Sequence, residues 1–92
     1  MIATDVLATY AADAATETSG VTGLVESTLH RHKGVRVVAD DGRLTIELHL
    51  AVEWGRSIPE VAGAVQRHVA DYLAQMADIR PAAIDVVVDE VE

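Results

Sequence analysis

The chain contains no cysteine and no phenylalanine, and its only aromatic residues are Tyr10, Trp54 and Tyr72. Without cysteine there are no disulfides and no thiolate metal sites, which fits a reducing compartment. With so few rings, the core must be built from Val, Leu, Ile and Ala, and little is available for stacking nucleobases. Basic residues are scarce as well: 7 Lys and Arg stand against 15 Asp and Glu, a formal net charge of −8. A field of that sign opposes phosphate backbones and anionic lipid headgroups. The only basic cluster is Arg31-His32-Lys33 with Arg36, and no nucleic-acid partner is expected. No stretch approaches the roughly 20 apolar residues of a membrane span, so no direct membrane insertion is expected. The start, Met1-Ile2-Ala3-Thr4-Asp5, lacks the basic-then-apolar order of a secretory signal. A cytoplasmic location is the expectation.

What is present is a strong hydrophobic pattern. Of the 92 residues, 50% are hydrophobic, enough for one core and one domain over residues 1–92. Residues 4–18 read as a helix, with Thr4 as N-cap and Asp5 in the first turn. Leu7, Tyr10, Ala11 and Ala14 share one face, and Ser19-Gly20 stops the helix. Residues 20–34 are compatible with a short strand, a helical turn or a loop, with His30 to Lys33 as a solvated connector. Residues 35–39 read as a strand, and Asp40-Asp41-Gly42 as a turn.

The clearest element spans residues 43–54. Leu44, Ile46, Leu48, Leu50, Val52 and Trp54 point one way, while Arg43, Thr45, Glu47, His49 and Glu53 point the other, with Ala51 the single apolar residue among them. That alternation defines one buried and one wet sheet face. Ser57-Ile58-Pro59-Glu60 matches a capping box with proline in the first turn. It opens a helix to about Ala77 with a continuous apolar stripe of Ile58, Val61, Ala62, Val65, Val69, Tyr72, Leu73 and Met76. Asp78 to Pro81 ends that helix. Residues 83–91 read as a last strand with Ile84, Val86 and Val88 toward the core. The predicted fold is therefore α/β (α+β), in the order α-β-β-α-β, with two helices packed on one face of a small three-stranded mixed sheet.

Chemistry is harder to find. His30 and His32 form an H-x-H pair to which His49 or Glu47 would have to add a third metal ligand; the plainer alternative is two exposed imidazoles in a polar loop. Asp40-Asp41 is turn chemistry, and Asp89-Glu90 is a solvated strand end. No nucleophile elbow, phosphate loop or dinucleotide fingerprint occurs, and Ser19, Ser27 and Ser57 each have a turn or cap explanation. The expectation is a protein that is not an enzyme, with no catalytic residue, cofactor or metal. The wet face, where Asp85, Val87 and Asp89 join the outward residues of 43–54, is either plain solvated surface or a partner surface. Trp54 is either a plug at the core edge or an interface anchor. The candidate partner surface comprises Glu47, His49, Ala51, Glu53, Trp54, Asp85 and Val87.

The segment GVRVVADDGRLTIELHLAVEWGRSIPEVAGAVQRHVADYLAQM, the later IDVVVDEV and the opening VLATYAADAATETSGVTGL closely resemble the bacterial alkaline shock protein family, also called envelope stress response proteins. The most specific piece is V-E-W-G-R-S-I-P-E-V, in which Val52, Glu53, Trp54, Gly55, Ile58, Pro59, Glu60 and Val61 occupy family positions. The chain departs from the pattern in a nearly absent extended lead, a short connector between Leu24 and Gly34, and Asp78 where a glycine tends to follow the second helix. The resemblance implies a non-enzymatic stress-response role as a protein-protein interaction module. It further implies a cytoplasmic protein held near the membrane through a protein partner, a membrane-anchored relative. Independently of the resemblance, an open sheet face and a free strand edge make homo-oligomerisation a further option. The alternative function is a small nucleic-acid-binding or metal-binding domain.

Overall fold

The computed structural model describes residues 4–26 and 34–92. The elements run α1 (Thr4–Thr16), β1 (Val21–Leu24), β2 (Val35–Asp40), β3 (Arg43–Val52), α2 (Ile58–Ala77) and β4 (Ala83–Val91). The sheet is mixed, as expected, but has four strands rather than three. The fourth is β1, in the stretch whose conformation the sequence left open. It is only four residues long and contains Gly23, too short to show an alternating pattern.

β3 bonds to every other strand. β2 pairs antiparallel with residues 43–48 of β3, β1 antiparallel with residues 50–52, and β4 parallel along residues 45–52. β1 and β2 lie on the same edge of β3, one after the other. The backbone of His49 joins them: its C=O accepts from the N–H of Val25 at 2.9 Å, and its N–H donates to the C=O of Gly34 at 3.0 Å. The chain therefore leaves the sheet after Val25 and returns at Gly34 beside the same residue. Gly34 has φ 81°, and a Cβ there would stand 2.9 Å from the Cβ of Leu24, so the pinch demands glycine. At the other end, Asp40 pairs with Arg43, and Asp41 and Gly42 both carry positive φ. This is the two-residue hairpin turn whose twist matches that of the strands.

The alternation of β3 works as read. Ile46, Leu48, Leu50 and Val52 are fully buried, and they join Val61, Val65, Val69 and Leu73 of α2 in one core. Ile58 and Met76, at the two ends of the α2 stripe, are exposed instead, because the buried part of the helix runs only from Val61 to Leu73. α1 lies over β1 and β2, α2 lies over β4, and the helices touch each other. The alanines of α1 permit this. Ala8, Ala11, Ala12, Ala14 and Ala15 are all buried, and their methyl groups let helix backbone approach sheet and helix closely. Tyr10 and Tyr72 close the helix pair edge to face, with centroids 5.9 Å apart. α1 stops at Thr16 rather than residue 18, and the hydroxyl of Thr18 turns back to the C=O of Ala14.

Two local expectations change. Ser57 is the N-cap of α2, but its side chain makes no capping hydrogen bond. Proline at residue 59 removes one of the two N–H donors that a cap ordinarily serves. Trp54 falls outside β3, which ends at Val52, and is 78% exposed. It does not plug the core edge, because Gly55, at φ 87°, turns the chain away before α2.

Asp78 takes the left-handed conformation expected of a helix terminator, with φ 53° and ψ 41°. Aspartate tolerates that conformation less well than glycine. Asp78→Gly is expected to raise stability by roughly 0.5–1 kcal/mol, read as a higher urea midpoint at unchanged slope. Val65 has no exposed surface, and Val65→Asp would place an unpaired charge in the core. A loss of about 3 kcal/mol or more is expected, and an unchanged melting temperature would contradict the packing described.

Candidate functional site on the helix-free sheet face

Both helices contribute to a single core on one side of the sheet. Strand parity sends Arg36 and Val38 of β2, Thr45, Glu47, His49 and Ala51 of β3, and Asp85 and Val87 of β4 to the other side. No described helix covers that side. Carboxylates predominate on it, with a few apolar side chains between them.

At its centre is His49. Its Nδ1 lies 2.8 Å from a carboxylate oxygen of Asp89, and its Nε2 lies 2.9 Å from one of Glu47. Glu47 reaches it along the same strand at i−2. Asp89 reaches it across the β3–β4 pair, where His49 stands opposite Val87. Ionised carboxylates only accept, so both contacts are hydrogen bonds at once when both ring nitrogens carry hydrogen. The side chain of His49 is 15% exposed, against 32% for Glu47 and 31% for Asp89. The cluster is thus partly shielded, and it ties β3 to β4 through side chains as well as through the backbone ladder.

Of the candidate surface residues, Glu47, His49, Asp85 and Val87 share this face, and Val87 is 37% exposed. Ala51 does not serve as contact surface: it is 4% exposed. It sits on the central strand at a register shift on both sides, opposite Gly23 and Glu90, where its short methyl group lies below its neighbours. Glu53 lies just past the strand and is exposed. Trp54 is at the rim, its N–H donating to the C=O of Glu92 at 2.6 Å. Its exposure leaves the interface-anchor reading in place. Asp89 is the participant the sequence reading undervalued, as part of a solvated strand end. Parity put it on this face, but only the parallel register shows that it meets His49.

His30 and His32, the H-x-H pair, lie outside the described residues. Among the described residues, no group of three or more His, Cys, Asp or Glu is arranged to hold a metal ion. No helix among them is long and apolar enough to cross a membrane.

An α+β domain with two helices backing one mixed sheet and a polar face opposite is the class that fold and site define. The chain belongs to the alkaline shock protein family, described by a cell envelope-related function, whose model matches residues 1–92. This bears out the resemblance carried by the sequence. The uncharacterised protein YqhY of Bacillus subtilis (strain 168) is 38% identical over 89 residues, covering 85% of this chain and 65% of that protein. The chain thus spans less than two thirds of the relative's length. Among solved structures, two substituted forms of MamM CTD are similar at a TM-score of 0.70. One shows 17% identity and covers 95% of this chain and 82% of its own; the other shows 16% identity and covers 95% and 92%. At that identity the likeness is one of fold.

The two contacts of His49 generate a direct expectation. A double-mutant cycle with His49→Ala and Glu47→Ala should give a coupling of about 1 kcal/mol in urea unfolding, typical of a partly shielded charge-assisted pair. A coupling of zero would show that the contact contributes nothing to the fold.

Proposed function

We propose that the chain is a non-enzymatic protein-protein interaction module in the cell envelope stress response. In this reading it is cytoplasmic and brought near the membrane by a protein partner that docks on the helix-free sheet face. The observation that carries the reading is that face itself: a sheet surface without a described helical cover, ordered by the His49 cluster and edged by the exposed Trp54. Membership in an envelope-related family supports it. The charge of the face favours a partner of a particular chemistry. Glu47, Glu53, Asp85 and Asp89 outnumber Arg36 and Arg43, so a basic surface or a basic extended segment is the matching counterpart. A second copy pairing antiparallel along β4 would set aspartates and glutamates of the two strands against each other, which destabilises a cross-strand pair. Self-association through that edge is therefore the less favoured arrangement.

The test is to replace Glu47, His49 and Val87 singly with alanine. Oligomer size is then measured by sedimentation, and recovery of partners from a lysate of the source cell is compared with the parent. Each variant is expected to fold and to lose partner recovery. If all three associate like the parent, the sheet face is not the working surface and the Trp54 rim takes its place.

A further inference from the structure

An open cleft of about 530 Å³ runs between the end of α1 and the first half of α2. Its polar lining includes Thr18, Ser19, Arg56, Ser57, Arg67 and His68, and Glu60 is its single carboxylate. This inverts the balance of the molecule: in a chain of net charge −8, two guanidinium groups and an imidazole converge on one cleft. Among the described residues, neither Arg56 nor Arg67 makes a salt bridge.

The groups are held in place by their surroundings. Arg56 donates from Nη2 to the hydroxyl of Ser19 at 2.9 Å, which fixes its guanidinium at the wall. Arg67 folds back one helical turn, so that its Nη1 lies 3.5 Å from the point a Cβ at Gly63 would occupy. An alanine methyl group at position 63 would make an ordinary contact with it, whereas a side chain as long as leucine would compete for the same space. Thr18 is 4% exposed, and its hydroxyl hydrogen goes to the C=O of Ala14 at 3.0 Å. Its oxygen therefore accepts from Nδ1 of His68, 2.9 Å away. A buried threonine thus sets the ring orientation and leaves Nε2 as the free nitrogen. The hydroxyl of Ser57, with no capping bond to make, is available as well.

We propose that this cleft binds a phosphate group. Two guanidinium forks supply the paired N–H donors that match phosphate oxygens, and their charges face only one carboxylate. A carboxylate ligand would use fewer of the donors. The surrounding acidic field repels long polyanions, which restricts the site to a phosphate on a small molecule or at the end of a larger one. The site is separate from the sheet face, and its test is independent of partner docking there.

The experiment is an amide NMR titration of the intact chain with inorganic phosphate, glycerol phosphate and, as a control, acetate. Saturable shifts confined to residues around the cleft are expected with phosphate, at a dissociation constant of about 1 mM or tighter. Arg56→Gln and Arg67→Gln are exposed substitutions expected to keep the parent spectrum. Each should weaken binding about tenfold, the loss of one charge-assisted hydrogen bond. Gly63→Leu, which displaces Arg67 without removing charge, should weaken it as well. Tighter binding of glycerol phosphate would assign the cleft to esterified phosphate, and equal or weaker binding would assign it to the free ion. The absence of saturable shifts, an equal response to acetate, or unchanged affinity in both arginine variants would overturn the proposal.

Discussion

β3 is the constraint on which the other elements depend. It is the one strand bonded to all the others, and its inward side chains form the floor on which both helices rest. A shift of its register by one residue would turn Ile46, Leu48 and Leu50 to solvent and bring Glu47 and His49 into the core. The hairpin turn at Asp41-Gly42 fixes that register on one edge. The bonds from His49 to Val25 and Gly34 fix it further along the same edge. His49 therefore combines two roles, with its backbone closing the interrupted outer strand and its ring drawing two carboxylates together.

The same strand organises the two surfaces. Helices occupy its apolar side because only there can the stripes of α1 and α2 be buried. Its other side, carrying Glu47 and His49, is left to polar contacts. One surface of the domain is thus an ordered ionic patch on a sheet, while the cationic cleft lies in the helical layer. The separation allows an acidic protein to present sites of opposite sign without their neutralising each other.

Much of this was legible in the sequence because period-two and helical repeats report burial directly. The alternation of residues 44–52 located β3 and both faces of the sheet. The stripe from Val61 to Leu73 located α2 and its buried side. What remained illegible depended on long-range register or on local geometry without a repeat. β1 is too short to carry a pattern, and its place beside β3 follows from pairing rather than from its own residues. Asp89 could be placed on a face by parity, but its contact with His49 depends on how β4 aligns with β3. Ala51 has the parity of an exposed residue and the size of a buried one, and its place in the central strand decides between them. Trp54 continues the inward parity of β3, yet the strand ends two residues before it. The cleft was hidden because Ser19 and Ser57 already had local explanations, and only the tertiary fold brings Thr18, Arg56, Arg67 and His68 beside them.

The connection from β3 to β4 has a kinetic consequence. β2 and β3 are joined by two residues and can zip together locally, whereas β4 must return across the whole of α2 to find its place against β3. Such non-local parallel pairing is entropically slow, so β4 is expected to add after the β2–β3 hairpin has formed. Until it does, one edge of the strand that carries the most buried side chains stands open to any other chain. The aspartates and glutamates along β4 carry charge on the arriving strand and disfavour its stacking with unfolded copies of itself. The acidity of the wet face thus protects the unfinished sheet.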